Sequence, residues 1–455
     1  MAESLIDLAP ELVELILSFL GPSDLVTFGQ TCRCATQFTL PSNQILWRSA
    51  FLQVFDNPKT AWELLLPSAR PNNRSREAQW DWYREVRRRF EAFNAVHQRT
   101  ADAAVPLDSE SVVTTFLDII DTASISQLES LNIDYLRRLF KAGPSAEKIV
   151  HDYHRDIDSI SLPLDLIQAD SRPFTRSMLG RREIPEWASR FHVLYGATSR
   201  EADSVRARCC ARAIIYDWSV TDSRAEYGPF TKDNTCTVNF ATVEAIASLM
   251  HRVLEKGHKL RVPPGLFWHS IPYSMSSQFL PQEDWAGVTH PWVGTYAFLD
   301  YRSLVHYNFA NNLEHPMDLG GFEEACGDLM RLELKINDSE DLRQDPRLQT
   351  ELPSCTDLPM LFFRGTSNGR SQRPAILVRG SVSLTPNAKQ VRWRFIISYA
   401  GEDQWSLEGV QPAGPRSGGI IYGLWSHVDH DDHGPTGPFC YFPSECCEQD
   451  YTQEE

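Results

Sequence analysis

The chain has 455 residues, of which 42% are hydrophobic and 23% charged, a composition typical of globular domains. This length suits two or three domains, each large enough to bury a core. The formal net charge of −16 disfavours nucleic acid, whose binding depends on clustered Lys and Arg, and it disfavours anionic membrane surfaces in the same way. We therefore expect neither of these as a partner.

The apolar runs, the first residues and the cysteines all bear on the compartment. No apolar run approaches the roughly 20 residues that span a bilayer. The opening "MAESLIDLAP" lacks the basic region of a secretory signal. The ten cysteines form no CxxC pair, which disfavours zinc-finger and thioredoxin-like sites and favours reduced thiols. We expect a cytoplasmic or nuclear protein.

The stretch "LAPELVELILSFLGPSDL" (8–25) predicts a short helix that is apolar on two sides. Pro10 fits its first turn, and Gly21 ends it. Five apolar residues share one stripe, which we expect to face a core: Leu12, Leu15, Ile16, Phe19 and Leu20. Val13 and Leu17 lie off that stripe, so the second side of the helix needs a partner.

Helical periodicity continues to about residue 285. Residues 1–56 are predicted to form three short helices, 57–105 a helical linker and 106–285 a mainly helical domain. The linker helix, "EAQWDWYREVRRRFEAFNAVH", carries an arginine cluster that is either a solvated helix face, a nuclear address or a site for an acidic partner. Its members are Arg84, Arg88 and Arg89.

After about residue 285 the hydrophobic period changes from 3.6 to 2. "ILVRGSVSL" (376–384) and "VRWRFIISY" (391–399) alternate strictly, and seven further stretches, "SLVHYNF" (303–309) among them, lie between Gly-, Pro- and Asn-rich turns. About nine strands over residues 286–443 therefore predict an antiparallel β-barrel or sandwich.

Polar segments complete the predicted organisation. The stretches 310–328 and 337–358 interrupt the strands and are predicted as loops, and residues 444–455 as a disordered acidic tail. The predicted fold class is thus α+β and multidomain, with a helical N-terminal unit of three helices, a helical middle region and a C-terminal antiparallel barrel or sandwich.

The N-terminal segment resembles an F-box, which begins Leu-Pro-x-Glu-Leu, continues Ile-Leu-Ser-x-Leu and closes Leu-Trp-Arg. The family's proline falls one place late, at Pro10, with Ala9 in its usual position. The matching residues are Leu8, Glu11, Leu12, Val13, Ile16, Leu17, Ser18, Leu20, Asp24, Leu25, Leu46, Trp47 and Arg48.

This resemblance implies docking onto the Skp-type adaptor of a cullin-based ubiquitin ligase. Buried aromatic residues are frequent hot spots of interfaces, so Trp47 is the expected anchor. The residues implied at the adaptor contact are Leu8, Pro10, Leu12, Val13, Ile16, Leu17, Leu20, Leu25, Leu46 and Trp47.

Most of residues 1–443 is similar to a large group of fungal F-box proteins, through segments such as "DWYREVRRRF", "WVGTYAFLDY", "VRWRFIISYAGEDQWSLEGVQ" and "GPTGPF". The β-domain is distantly similar to that of the F-box protein that binds D-type cyclins. The resemblance implies a non-catalytic substrate receptor whose β-domain selects target proteins. The alternative is a ligand- or carbohydrate-binding F-box protein that acts outside a ligase.

The mouth of a small barrel is a common ligand site, because inward-facing side chains line it. We expect a pocket there for a short peptide or a chain terminus, unless the aromatic residues only fill a core. Alternation turns Trp393 inward and turns Arg392 and Arg394 to the other face, which we expect to be solvated. The candidates are Trp292, Tyr296, Arg392, Trp393, Trp405 and Trp425.

One dense group of His and Asp raises the question of a metal. "HVDHDDHGP" (427–435) could ligate a transition metal, but a polar loop is the simpler interpretation, so we expect no metal and no cofactor. A metal-dependent enzyme built on this loop is the remaining rival. The chain has no GxSxG, HExxH, P-loop or GxGxxG motif, and we predict no enzymatic activity.

Overall fold

The computed structural model describes two compact units, the first formed by Met1–Leu66 with Arg70–Ile149 and the second by Pro67–Ala69 with Val150–Glu455. Most of the predicted tail and Asp432 lie outside the described residues. Those described are 5, 8–70, 80–101, 108–125, 129–141, 144–150, 153, 184–275, 283–310, 319–320, 323–368, 376–431, 433–446 and 448–449.

The first unit is helical. Four helices fall within its first 52 residues, where the sequence predicted three, because Cys32 caps an additional short helix by accepting a hydrogen bond at Sγ from the Ala35 N–H at 3.4 Å. The helices are α1 (Pro10–Leu17), α2 (Pro22–Gly29), α3 (Arg33–Phe38), α4 (Gln44–Leu52), α5 (Pro58–Leu64), α6 (Trp82–Ala101), α7 (Ser109–Asp121), α8 (Leu131–Phe140) and α9 (Pro144–Glu147).

The core of this unit is aromatic and encloses one arginine. Phe55 lies edge-on to Tyr135 at 4.7 Å between ring centroids, and the Arg89 guanidinium lies 4.7 Å from the rings of both Phe51 and Phe55. Burial lowers the pKa of Arg89 to about 10, and its Nη2 donates to Thr122 Oγ1 at 2.9 Å. The side chain is therefore part of the core rather than of a basic surface.

The helices of the second unit come before and between its strands. The longest, of 19 residues, packs against three strands of the barrel as well as against three other helices. The helical stretch from residue 184 onward thus shares a compact unit with the barrel. The helices are α10 (Glu186–Tyr195), α11 (Ser199–Asp203), α12 (Val205–Ile215), α13 (Phe240–His258), α14 (Tyr301–Val305) and α15 (Glu340–Arg343).

Eight antiparallel strands close into a barrel, which confirms the antiparallel β-architecture and selects the barrel over the sandwich. Each of β4 to β9 pairs with the next strand in the chain, β2 pairs with β4, and β10 closes the sheet on β2. The strands are β1 (Leu260–Arg261), β2 (Trp292–Phe298), β3 (Ala325–Cys326), β4 (Met330–Ile336), β5 (Leu361–Asn368), β6 (Ile376–Leu384), β7 (Val391–Tyr399), β8 (Glu402–Gln411), β9 (Ile421–His427), β10 (Thr436–Pro443) and β11 (Glu448–Gln449).

The strand predicted at 303–309 is wrong. Asp300 caps α14 by accepting a hydrogen bond from the Ser303 N–H at 3.2 Å, and a π-helical turn over His306–Ala310 follows. A short apolar run fits a helix as well as a strand, and the cap decides between them here. The predicted loop 337–358 contains the short helix α15.

Aromatic rings fill the middle of the barrel. Trp393 stacks on Phe395 at 5.6 Å and lies 5.5 Å from Trp292. Opposite these rings the strands carry glycines: a Cβ at Gly380 would lie 2.3 Å from Phe363 Cζ. The rings therefore lie directly on the strands, and the interior is a packed core. No helix of the described part of the chain could cross a membrane.

Candidate functional site

The N-terminal helices expose apolar side chains on a face that we call the apolar face. Phe19 is 73% exposed and Ile45 is 81% exposed. Monomeric proteins rarely expose large contiguous apolar patches, and such patches commonly mark interaction sites. The exposed apolar residues of these helices and their connections are Leu8, Leu12, Leu15, Ile16, Phe19, Val26, Leu40 and Ile45.

The two sides of α1 have the opposite roles to those predicted. Val13 and Leu17 are fully buried. Leu12, Leu15 and Ile16, which belong to the five-residue stripe that was expected to face a core, are exposed. A helix that is apolar on both sides can dock either side, and periodicity alone does not identify which side is covered. The side of α1 that carries this five-residue stripe is thus the side that is not covered by the described residues of the unit.

The expected adaptor residues divide into two groups by burial. Leu8, Pro10, Leu12 and Ile16 are exposed and Leu20 is half-buried. The others are buried in the core of the unit: Val13, Leu17, Leu25, Leu46 and Trp47.

Trp47, the expected anchor, is buried in the core of the unit. Its ring lies edge-on to Tyr83 at 4.9 Å, and its Nε1 donates to the Leu40 carbonyl at 3.2 Å. Both contacts hold α4 in place. Trp47 therefore positions neighbouring exposed residues such as Ile45 instead of contacting a partner.

A second candidate site is the barrel mouth, where aromatic side chains collect at one end of the strands. Trp425 lies 5.0 Å from Trp405 and 6.0 Å from Tyr296, both edge-on. His427 continues this row, 5.9 Å from Trp405. Tyr296, Trp405 and His427 are half-buried, so their rings are partly available at the surface.

Two buried hydroxyls belong to the interior of the same barrel. Tyr441 Oη and Ser367 Oγ are inaccessible and have no hydrogen-bond partner among the described residues. Burial raises the pKa of Tyr441 far above its usual range, so the phenol stays neutral. Buried polar groups are normally satisfied, so each of these two hydroxyls is an exception among the described residues.

Trp292 and Trp393 do not belong to the mouth. Trp393 is fully buried in the stack of rings, and Trp292 lies toward the other end, where its Nε1 donates to the Gly287 carbonyl at 3.0 Å. Their alternation correctly predicts an inward direction, but the position along the barrel makes them core residues. Tyr296, Trp405 and Trp425 remain as candidates for target binding.

Arg392 and Arg394 lie on the outer wall of the barrel, yet they are not solvated, contrary to expectation. Arg392 Nη2 lies 2.5 Å from Glu226 Oε2 and 2.9 Å from Glu408 Oε2, and Arg394 pairs with the same two carboxylates. Glu226 also accepts hydrogen bonds from the N–H groups of residues 351 and 352. The predicted loop 337–358 thus covers both arginines.

Electrostatics keep this cluster ionised. Burial alone would raise the pKa of Glu226, but Arg392 and Arg394 outweigh burial and lower this pKa to about 2. Two guanidinium groups and two carboxylates balance in charge, and Thr350 Oγ1 accepts a further hydrogen bond from Arg392 Nη1 at 2.7 Å. The cluster is a closed ionic network and leaves no cation for a target.

The residues of the His/Asp loop point to separate neighbours. His430 stacks on Tyr227 at 4.1 Å, whereas His433 lies 4.9 Å from Trp218. The Nδ1 of His427 lies 3.8 Å from the carboxylate of Asp429. Within the described residues no three His, Cys, Asp or Glu side chains are grouped so as to hold a metal ion.

The three arginines of the linker helix, α6, lie in three different surroundings. Arg88 pairs with Glu85 at 2.9 Å and with Asp118 at 2.6 Å, and Arg89 is buried. Arg84 is exposed. The cluster therefore divides into one exposed, one paired and one buried residue, and it does not form a continuous basic surface.

Sequence reasoning missed a buried His–Glu network beside α13. His192 Nδ1 lies 2.6 Å from Glu244 Oε1, and its Nε2 lies 3.3 Å from Glu201 Oε1. Burial alone would lower the pKa of His192, but the two carboxylates raise it to about 10. The partners are nine and 52 residues away, so no local motif indicates them.

Another buried imidazole lies close to this network. His251 Nε2 lies 2.7 Å from Tyr422 Oη, and burial lowers the pKa of His251 to about 4, so the ring is neutral.

The apolar face and the barrel mouth have to be interpreted from their own chemistry, because no protein-family model, no curated protein and no solved structure matches this chain.

Proposed function

We propose that the protein is a substrate-recognition subunit of a cullin-type ubiquitin ligase in the cytoplasm or nucleus. Its F-box-like N-terminal helices would dock a Skp-type adaptor, and its β-barrel would select target proteins. It would need no catalytic residue, metal or cofactor of its own, because the conjugating enzyme of the complex carries out the chemistry.

The apolar face is the observation that carries this proposal. Its exposed residues all lie in the segment that resembles an F-box, between positions 8 and 45. Burying the remaining surface of each such side chain contributes about 1 kcal/mol. Association costs an estimated 4–15 kcal/mol, so several helices have to contribute together. Phe19 and Ile45 are the expected hot spots, since they expose the most apolar surface.

Binding to a purified Skp-type adaptor tests the proposal. Ile16→Lys together with Phe19→Lys should abolish recovery of the adaptor while the circular dichroism spectrum stays unchanged, because both side chains are exposed. Leu131→Lys is the matched control, an exposed leucine of the same unit on α8. Full recovery of the adaptor by the double variant would contradict the F-box assignment.

The barrel mouth supports the second half of the proposal. Tyr296, Trp405 and Trp425 offer aromatic surface for one apolar anchor of a target. The same surface favours one competing function, a ligand- or carbohydrate-binding protein that uses an F-box outside a ligase. Recovery of the cullin together with the adaptor distinguishes the two functions.

A further inference from the structure

The rings of the barrel mouth form one continuous series, which we call the aromatic row. Its members come from β2, β9 and β8 and follow one another at 6.2, 6.0, 5.0 and 5.9 Å between ring centroids: Phe298, Tyr296, Trp425, Trp405 and His427. Trp425 is buried, and the other four side chains are half-buried. The row therefore offers several partly accessible rings in succession instead of one deep pocket.

The backbone lies close against two of these rings. A Cβ at Gly327 would lie 2.4 Å from Tyr296 Cε1, so this position could not carry a side chain without displacing the ring. A Cβ at Gly437 would likewise lie 2.8 Å from Trp425 Nε1. Trp425 Nε1 also donates to the Ala297 carbonyl at 3.0 Å. Both rings are thus held in place before a target arrives, which lowers the entropic cost of binding.

One polar group of the row is available for a hydrogen bond. An indole donates one hydrogen bond through Nε1 and accepts none. In Trp425 this donor is bonded to the chain itself, whereas Trp405 Nε1 has no acceptor among the described residues. Because Trp405 is half-buried, its N–H is a donor that a bound segment can reach.

Charge does not single out an occupant for the row. Asp403, two residues before Trp405, pairs with an arginine at 2.6 Å, and Asp429, two residues after His427, pairs with another arginine at 3.2 Å. Asp431 lies 3.9 Å from His427 Nδ1. The row itself contains no Lys, Arg, Asp or Glu, so ring contacts and the Trp405 N–H are what it offers to a target.

We infer that the aromatic row binds a proline-rich segment of the target in the polyproline II conformation. Proline-rich segments of this kind dock onto surfaces lined by aromatic side chains. A polyproline II segment has no internal hydrogen bonds, so one of its carbonyls can accept the hydrogen bond that Trp405 Nε1 offers. The inference rests on the proposed function, because it names the class of segment that supplies the apolar anchor.

The dimensions of the row fit such a segment better than a single side chain. A leucine covers one ring, whereas a polyproline II segment rises about 3.1 Å per residue and passes about two residues for each step from ring to ring. The three steps from Phe298 to Trp405 therefore correspond to about six residues. This conformation is largely formed before binding, so little entropy is lost when several rings are covered at once.

Fluorescence anisotropy with the full chain tests the inference. The probe is a labelled peptide with about six consecutive prolines, compared with peptides in which alanine or leucine replaces every proline. We expect the proline peptide to bind about tenfold more tightly than either, with an affinity that changes little between low and high salt, because no ion pair is involved. Equal binding of the three peptides, tighter binding of the leucine peptide or a strong salt dependence would overturn the inference.

Variants locate the binding. Trp405→Phe keeps an aromatic ring and removes the N–H, so the proline peptide should bind about fivefold more weakly. Trp405→Ala also removes the ring and should weaken the peptide further. Phe309→Ala, at an exposed aromatic residue of the same unit outside the row, is the matched control and should change nothing. Unchanged affinity in Trp405→Phe would overturn the inference, as would a neutral oligosaccharide that binds the row more tightly than the proline peptide.

The adaptor assay keeps this inference distinct from the proposed function. Trp405→Phe should recover the adaptor as well as the unaltered chain does, because the apolar face is untouched. Absence of a preference for proline in a chain that recovers the adaptor overturns the inference alone. Binding of the proline peptide by a chain that never recovers an adaptor contradicts the proposed ligase function and leaves the proline site standing.

Discussion

At the scale of single residues, Glu226 connects three segments that are far apart in the sequence. Its carboxylate meets two arginines of β7 and two N–H groups of the 350–352 segment, and its own backbone is left-handed at φ 46°. A buried ion pair is costly to break from one side, because the partner is left charged and unpaired. Glu226 is therefore a residue on which the outer wall of the barrel depends.

We expect Glu226→Gln to destabilise the second unit by about 3 kcal/mol, because Glu408 alone then faces two buried guanidinium groups. Hydrogen exchange of the amides of β7 and β8 in the full chain reports this loss locally. The control Asp338→Asn removes a solvent-exposed ion pair with Arg343 and should leave that exchange unchanged. Exchange in Glu226→Gln as slow as in the unaltered protein would show that the cluster contributes no stability.

His192 gives the second unit a characteristic dependence on pH. Its imidazolium contributes full stability below pH 6.5, the ordinary pKa of His, and this contribution is lost as the pH rises toward about 10. His251 acts in the opposite direction, since its contribution is lost as the pH falls from 6.5 through about 4. The low pKa of Glu201, about 2, adds a further loss below 4.5. Stability should therefore be highest near pH 6.5.

His192→Gln should remove the alkaline part of this profile. The unaltered chain should lose up to about 1.4 kcal/mol per pH unit between about pH 7 and pH 9, whereas the variant, which is less stable at pH 6, should show a flatter profile. Urea unfolding across this range measures the slope. His427→Asn, at the half-buried end of β9, should keep the slope of the unaltered chain, and an unchanged slope in His192→Gln would contradict the assignment.

At the scale of elements, α1 has one side that stabilises its unit and another that is exposed. Leu17→Ala should destabilise the first unit by about 3 kcal/mol, because it opens a cavity in the core. Leu15→Ala, the same substitution on the exposed side, should change the unfolding free energy by at most about 0.5 kcal/mol. Equal effects would mean that the exposed stripe is also packed within the unit.

The same elements show which features the sequence could predict. The alternation of β6 and β7 has a period of two, and the inward direction of Trp393 follows from it directly. The covering of Arg392 could not be predicted, because Glu226 is 166 residues away in the sequence. The strand predicted at 303–309 failed for a local reason, since the cap at Asp300 favours a helix.

The prediction of sites had a similar limit. Five of the ten expected adaptor residues are buried in the unit. The exposed residues of α1 instead belong to the stripe that the sequence pattern assigned to a core. The aromatic candidates were correctly placed inside the barrel, but their depth depends on register, which places Trp425 opposite Leu407 and Trp393 opposite Gly409. Register across non-local strands is set by the closed sheet as a whole, not by the alternation of one strand.

At the scale of the whole molecule, the barrel combines large rings with glycines that face them. Gly380→Ala should destabilise the second unit by about 1–3 kcal/mol, because the new Cβ would lie 2.1 Å from the Arg394 carbonyl oxygen and 2.3 Å from Phe363 Cζ. Two measurements would report this loss of stability. Unfolded or more slowly migrating species would appear at lower urea in a urea-gradient gel, and the amides of β6 would exchange hydrogen faster. The double variant Gly380→Ala with Phe363→Leu should recover part of the loss, and an equal loss in both would contradict the ring–glycine explanation.

Closure of the sheet by β10 on β2 restricts how this unit can recognise a protein. Each of the eight strands has neighbours on both sides, so a target cannot add itself as a ninth strand through main-chain hydrogen bonds. Recognition then depends on side chains at the mouth and on the connections between strands. Because those connections lie outside the packed interior, substitutions in them can change what the unit binds while the barrel folds as before.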